Sequence, residues 1–227
     1  MMKSLSVLLA LMLTFGGLAP AAAAVKSPDT FVHVTIGDPD SFDPVWAYDT
    51  ASHNIISNMY EYLLTFKGSG TAVKDLAPQL SEKVPSKANG LISADGLTYR
   101  FPIRKGVKFH DGSVLTPEDV RYSLLRFMLF DRDGGPSSLL LEPVLGENST
   151  RGEGGKLLPG IYERAAAAVT VDNGTVVVKL KKSFAPFLTV LTGFGAISSQ
   201  KWCAAQGQWD GQAASWEKHN NPKRDAV

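Results

Sequence analysis

The chain of 227 residues is close to electrically neutral, with 23 Lys and Arg residues against 22 Asp and Glu residues. This balance, together with the lack of any basic cluster, argues against a nucleic-acid partner. Hydrophobic residues make up 44% of the sequence, which is enough for the core of one or two ordinary globular domains. Cys203 is the only cysteine in the sequence, so no disulfide can form within the chain.

Residues 1–24 have the pattern of a cleaved signal peptide. Lys3 supplies a positive start, residues 5–18 are apolar, and three alanines at residues 22–24 supply the small side chains of a cleavage site. The apolar run is short for a transmembrane helix and leads directly into a polar segment. We therefore predict a soluble periplasmic protein whose folded part is residues 25–227.

The folded part is predicted to begin with a strand, a loop and a helix. Residues 31–36 alternate apolar and polar side chains, which is typical of a strand. The loop at residues 37–44 is rich in Asp, Pro and Ser, which do not continue a sheet. Residues 50–66 are predicted to form one amphipathic helix, because apolar side chains recur every three or four positions, at Ile55, Ile56, Met59, Tyr60, Leu63 and Leu64.

Residues 97–126 are the most informative stretch. Residues 98–103 have the aromatic and β-branched content of a strand, and a second extended run at residues 107–110 ends in an Asp-Gly turn, so we predict a hairpin followed by a tight turn. Thr116 is predicted to cap a helix that begins at Pro117. Its buried face is predicted to consist of Val120, Leu124, Phe127 and Met128.

This stretch closely resembles the signature of the bacterial solute-binding proteins of family 5, the extracytoplasmic receptors for peptides, nickel and related solutes of ABC importers. The resemblance is carried by DG-x-TY-x-F, R-x-GVKFHDG, L-T-x-EDV and S-x-x-R, in that order between residues 95 and 126. Upstream, Phe42-Asp43-Pro44 and Tyr60-Glu61-Tyr62-Leu63 resemble the family's Leu-Asp-Pro-like and Tyr-Glu-x-Leu elements.

The resemblance implies an α/β fold of the two-lobed, type II periplasmic-binding-protein kind, of which mainly the first lobe and its extra subdomain are present. Residues 31–45 and those from about 184 onward would build the main sheet, and the segment between them would be the subdomain. Family members are much longer, so the sequence is interpreted as the N-terminal lobe of a receptor, truncated before the second lobe.

The remaining elements follow from local signals. Residues 131–156 read as a long connection, and residues 166–171 and 175–181 as a hairpin around Asp172-Asn173-Gly174. Pro186-Phe187-Leu188 is predicted to open a short helix, followed by a strand at residues 195–198. The last aromatic residues are predicted to pack in the core or between lobes (Trp202, Trp209 and Trp216).

The resemblance implies reversible capture of a solute, most simply a short peptide, by two lobes that close over it and dock on an inner-membrane ABC permease. It implies a monomer when the protein is full length, with no cofactor. The alternatives are a receptor for a nickel chelate, haem, an oligosaccharide or an opine, a truncated or split receptor without transport activity, and a non-transport interaction protein. A periplasmic hydrolase is a distant alternative.

The residues predicted to contact the ligand lie just before the Asp-Pro element: Asp38, Pro39, Asp40 and Ser41. In the receptors that the sequence resembles, the backbone of this segment pairs with the peptide as an added strand would. A solvated surface loop is the competing interpretation. Asp43 is predicted to cap backbone amides instead. A second region near the ligand corresponds loosely to residues 136–140.

Metal and catalytic sites are not expected. The four histidines show no pair at ligand spacing and no neighbouring cysteine (His33, His53, His110 and His219). The sequence contains no G-x-S-x-G, the motif of one common class of serine nucleophile, so no activated serine of that kind is predicted. Asp38, Asp40 and Asp43 form the acidic cluster on which the hydrolase alternative depends.

Overall fold

The structure, a computed structural model, describes residues 27–32, 34, 35, 37–132 and 134–220. The chain divides into two compact units, residues 1–35 and 36–227. The predicted signal peptide at residues 1–24 lies outside the described residues. In the first unit the Thr30 N–H donates to the Ser27 carbonyl at 3.0 Å, which closes a turn.

The prediction of a strand at residues 31–36 is wrong, because residues 31, 32, 34 and 35 lie in no regular element. His33 and Ile36 lie outside the described residues. An alternating pattern forms a strand only where a neighbouring strand accepts its hydrogen bonds. None of the described strands pairs with this segment. The main sheet that was expected from residues 31–45 and from residues beyond 184 does not form among the described residues either.

The second unit mixes helices with short strands. Its α-helices are α1 Thr50–Met59, α2 Pro117–Leu129, α3 Ser138–Leu145, α4 Ile161–Ala168, α5 Phe187–Val190, α6 Gln200–Ala205 and α7 Ala213–Trp216. Its strands are β1 Leu64–Phe66, β2 Leu76–Pro78, β3 Thr98–Pro102, β4 Val169–Asp172 and β5 Thr175–Lys179. Single turns of 3-10 helix occupy Val73–Asp75 and Glu153–Gly155.

The larger sheet is antiparallel with strand order β3-β5-β4. The predicted hairpin around Asn173 and Gly174 is confirmed, with φ of 47° and 80° at these residues, as a two-residue type I′ turn requires. Its first strand is shorter than predicted, because residues 166–168 complete α4. The predicted partner of β3 is wrong: β3 pairs with β5, and residues 107–110 contribute only an isolated bridge between Lys108 and Val114.

Helix α1 is shorter than the helix predicted over residues 50–66. It ends at Met59, and Tyr60 is extended with ψ of 157°. Of the apolar residues that follow, Leu64 begins β1, which pairs with β2. Leu63 and Leu64 are therefore buried outside any helix, and their spacing from Ile56 mimicked a helical period.

Helix α2 runs through the hydrophobic core, and its prediction is confirmed. The Thr116 side chain accepts a hydrogen bond from the Asp119 N–H, and the Asp119 carboxylate accepts one from the Thr116 N–H, which forms a capping box. All four residues of the predicted buried face are at most 2% exposed. The helix packs against the strand β4 and against α3, α4 and α6.

The C-terminal part of the described chain is only partly as predicted. The strand at residues 195–198 does not form, although α5 opens after Pro186 as expected. Trp209 and Trp216 are buried in the core, whereas Trp202 is 41% exposed. Cys203 is a buried free thiol. Within the described ranges, no helix is long and apolar enough to cross a membrane.

The capping box predicts a measurable loss of stability in Thr116→Ala. Because the Asp119 N–H loses its acceptor at the start of the most buried helix, we expect the free energy of unfolding to fall by about 1 kcal/mol. Urea denaturation followed by circular dichroism measures this change. Thr71→Ala, at an exposed position outside any helix, is the matched control, and an equal loss in both variants would contradict the role of the cap.

Candidate functional site

The predicted ligand segment, Asp38 to Ser41, lies at the surface and is anchored at its C-terminal end. Asp38 and Asp40 are exposed, Pro39 is half-buried and Ser41 is buried. The Ser41 N–H donates to Ser52 Oγ at 3.2 Å, and Ser41 Oγ accepts from the Asp43 N–H at 2.9 Å. Because Ser52 belongs to α1, the segment is attached to the N-terminal turn of that helix.

Asp49 caps the N-terminus of α1. Its carboxylate accepts the Ser52 N–H at 2.8 Å. Hydrogen bonds from Ser52 lower the pKa of the Asp49 carboxyl below its ordinary value, because they stabilise the ionised form. The cap therefore supports the same helix turn that supplies Ser52 to the predicted ligand segment.

Asp43 forms a buried ion pair with Arg126 of α2. The two guanidinium NH groups donate to the two carboxylate oxygens at 2.7 and 2.6 Å. The side chains are 0% and 2% exposed, respectively. The Asp43 carboxylate also accepts the Val45 N–H at 3.2 Å, so the predicted capping of a backbone amide is confirmed. The pairing with Arg126, 83 residues away in sequence, was not predicted.

The charge on Arg126 is maintained by its partner. Burial acts to lower the pKa of the guanidinium, whereas the charge and hydrogen bonds of Asp43 raise it, and the net result is a pKa above the ordinary value. The guanidinium also lies over the Phe130 ring, 4.8 Å from its centroid, and one NH donates to Gln208 Oε1 at 3.3 Å. The ion pair is thus enclosed by the core, and the Arg126 guanidinium keeps its charge.

A cavity of about 750 Å³ opens beside this ion pair. It is lined by Pro44, Ser57, Asn58, Met59, Tyr60, Glu61, Gln79, Leu80, Val107, Lys108, Phe109, His110, Asp111, Leu115, Arg126, Ile197, Ser198, Ser199, Trp202, Cys203 and Gln208. Its volume and mixed apolar and polar lining are those of a binding cleft. Residues 38–41 do not line it, so the structure does not bring the predicted ligand segment and this cavity together.

The cavity wall carries a thiol, an imidazole and a carboxylate among its polar groups. Burial raises the pKa of the Cys203 thiol above its ordinary value, which favours the protonated form. His110 and Asp111 lie at the wall as neighbouring turn residues. Within the ranges that the structure describes, no group of three or more His, Cys, Asp or Glu side chains could hold a metal ion.

Two other histidines lie against aromatic rings. His53 lies 5.5 Å from Phe194 and 6.5 Å from Tyr62 between ring centroids. His219 stacks on Phe130 with centroids 6.0 Å apart, and its burial lowers the pKa of the imidazole. His33 lies outside the described residues.

Two arginines were missed by sequence reasoning. Arg126 stands in the run Leu124-Leu125-Arg126-Phe127-Met128-Leu129, and a charge inside such a run needs a buried partner. That signal could have identified Arg126 but not Asp43. Arg132 forms an ion pair with Asp40, and it follows α2 at a position where the sequence shows only a polar loop.

Comparisons with known proteins identify relatives of this chain. Residues 75–225 match the family model described as bacterial extracellular solute-binding proteins, family 5 Middle. Over 195 residues the chain is 31% identical to the dipeptide-binding protein of Escherichia coli strain K12, covering 82% of this chain and 33% of that protein. Over 115 residues it is 36% identical to heme-binding protein A of Haemophilus influenzae, covering 48% and 19%.

The fold is also similar to that of a solved structure. Listeria monocytogenes OppA bound to peptide aligns with a TM-score of 0.56 at 21% identity, covering 74% of this chain and 30% of that one. The expected type II periplasmic-binding-protein fold, of which the chain covers a part, is thereby confirmed. The chain spans about a fifth to a third of the length of the curated relatives described above.

The Asp49 cap predicts a pH-dependent contribution to stability. Because its pKa is lowered in the folded state, the carboxylate stabilises the fold above the ordinary pKa of Asp, and this contribution is lost as the pH falls through the folded-state pKa. Urea unfolding of the wild type and Asp49→Asn between about pH 3 and pH 6 should show the wild type losing more stability toward acid. Asn54→Ala, an exposed change in the same helix, should follow the wild type; parallel curves for Asp49→Asn would contradict the prediction.

The buried ion pair predicts a large loss of stability in Arg126→Met. Because the Asp43 carboxylate would remain buried without its partner, we expect the free energy of unfolding to fall by about 3–5 kcal/mol, measured by urea denaturation.

Two control variants test this interpretation. Arg100→Met breaks the exposed pair with Asp172, at 3.4 Å with side chains 44% and 57% exposed, and should cost less than about 1 kcal/mol. Combining Arg126→Met with Asp43→Leu should cost less than the sum of the single changes, since no unpaired charge is left. A loss in Arg126→Met no larger than that in Arg100→Met would contradict the buried pairing.

Proposed function

Because the chain belongs to the bacterial extracellular solute-binding proteins of family 5, we propose that it forms part of a periplasmic receptor that captures short peptides for an ABC importer. The observation that carries this proposal is the alignment of 195 residues, at 31% identity, with a protein named as a dipeptide-binding protein. The structure of OppA bound to peptide is a neighbour in fold. The proposal describes binding without catalysis, in keeping with relatives that are named as binding proteins.

Residues 38–41 support this proposal as the ligand-pairing segment. A peptide ligand offers regularly spaced N–H and C=O groups, which an extended receptor segment can pair with whatever the ligand's side chains are. The segment is exposed at Asp38 and Asp40 and anchored at Ser41, so its backbone is accessible while its end is held. Pro39 lacks an N–H, which leaves its carbonyl to take part in pairing.

Capture in such a receptor depends on a second lobe. A ligand that contacts both lobes stabilises the closed state over the open one, and the closed form is what the inner-membrane permease engages. We propose that the full receptor works as a monomer in the periplasm after removal of residues 1–24. The residues described here provide contacts on one side of the ligand.

A second candidate ligand is haem or a comparably large apolar solute. The observation that favours it is the 36% identity over 115 residues with heme-binding protein A. The cavity of about 750 Å³ with Trp202 and Met59 in its wall supplies apolar surface of suitable size. Peptide capture is preferred because the peptide-binding relative aligns with 82% of the chain rather than 48%.

Calorimetry tests the proposed function. We expect a receptor that contains both lobes to bind di-, tri- or tetrapeptides at one site per molecule, because backbone pairing accepts many side chains. The 227-residue chain by itself should bind the same peptides at least about tenfold more weakly, since closure contributes nothing to its affinity. Free amino acids serve as the control ligands.

Three outcomes would contradict parts of this proposal. Binding of haem without binding of any peptide would favour the second candidate. Turnover of a peptide, lost in Asp38→Asn or Asp40→Asn, would favour a hydrolase. Tight peptide binding by the isolated chain would contradict the need for a second lobe.

A further inference from the structure

An ion pair connects the predicted ligand segment to the turn that follows α2. The Arg132 NH2 group donates to Asp40 Oδ2 across 92 residues of sequence. Asp40 is the third of the segment's four residues, and Arg132 lies three residues after the C-terminus of α2. This contact therefore joins the segment to the most buried helix of the fold through side chains alone.

Arg132 is itself held in place by the core. Its guanidinium carbon lies 5.6 Å from the centroid of the Trp46 ring, a cation–π contact. Trp46 is fully buried, and its indole N–H donates to the Phe130 carbonyl at 3.2 Å. The Arg132 side chain is 26% exposed, against 56% for that of Asp40. Arg132 is thus the fixed partner, and Asp40 is the partner that would otherwise move.

The other anchors of the segment involve its backbone or Ser41. Ser41 is tied to Ser52 and to the Asp43 N–H, and the Asp40 backbone N–H contributes to lowering the pKa of the Asp49 carboxyl. The Asp40 side chain, in contrast, pairs with Arg132 across the chain. A segment that pairs with a ligand must already be extended, because ordering it on binding would cost conformational entropy and reduce affinity. The ion pair adds a side-chain link to these anchors and so contributes to that order.

We propose that Arg132 is a positioning residue that holds residues 38–41 ready for backbone pairing with a peptide, through Asp40 and without touching the ligand. The inference rests on the proposed function of that segment. Its effect should be modest, since partly exposed ion pairs are weak and are screened by salt.

Hydrogen exchange tests the positioning role directly. In Arg132→Met, which keeps an apolar stem over Trp46, and in Asp40→Asn, we expect the backbone amides of residues 37, 38 and 40–42 to exchange about two- to fivefold faster. The same acceleration should appear in the wild type at about 1 M salt, where the pair is screened. Arg100→Met, which breaks the exposed pair with Asp172, is the matched control and should leave this segment unchanged.

Peptide affinity separates positioning from direct contact. Calorimetry on the full receptor with trialanine should show about two- to fivefold weaker binding in both variants. The exchanged pair, Asp40→Arg with Arg132→Asp, should restore both slow exchange and affinity, because it restores the link. If the exchanged pair restores slow hydrogen exchange but not peptide affinity, one of the original charges contacts the ligand. That result would overturn the proposal.

The two proposals fail in different ways. A wild-type receptor that binds no peptide would refute the proposed function, and the hydrogen-exchange result would still decide whether Arg132 orders the segment. A receptor that binds trialanine equally well in wild type and Arg132→Met would refute the positioning role alone. Unchanged exchange in both Arg132→Met and Asp40→Asn would refute it as well.

Discussion

The ion pair between Asp43 and Arg126 is the interaction on which the arrangement of the site depends. It joins the loop that carries the predicted ligand segment to the central helix α2, and its guanidinium also contacts Gln208 and Phe130. Both charges are almost completely removed from water. Breaking such a pair from one side leaves an uncompensated buried charge, so the loop has no comparable alternative position on the helix.

Helix α2 connects this interaction to the rest of the unit. Immediately after the helix, Asp131 accepts hydrogen bonds from Ser137, Ser149 and Thr150, and Arg132 reaches Asp40. The helix end is therefore a junction at which three separate loops meet. Residues 38–41, which we propose to meet the ligand, are thus connected to the end of the most buried helix.

Local signals predicted the elements whose hydrogen bonds are local. The cap at Thr116, the buried face of α2 and the turn at Asn173-Gly174 depend on residues within a few positions of one another, and all three were predicted correctly. The errors concern pairing over longer distances. The strands predicted at residues 31–36 and 195–198 do not form in the described residues, and β3 pairs with β5 rather than with residues 107–110. The alternation of apolar and polar residues along a strand indicates which face of the strand is apolar, but it does not indicate which other strand lies beside it.

The sequence by itself indicated the family, through motifs between residues 95 and 126, and the α/β class was implied by that resemblance, while residue spacing and turn chemistry located individual helices and one hairpin. It also indicated the segment that we propose to meet the ligand. Only the tertiary structure decided that Asp43 pairs with Arg126 and Asp40 with Arg132, and that the cavity is lined by residues other than 38–41. The reason is physical: a charged side chain carries no local mark of its partner, and these partners lie 83 and 92 residues apart and meet only after the core has folded.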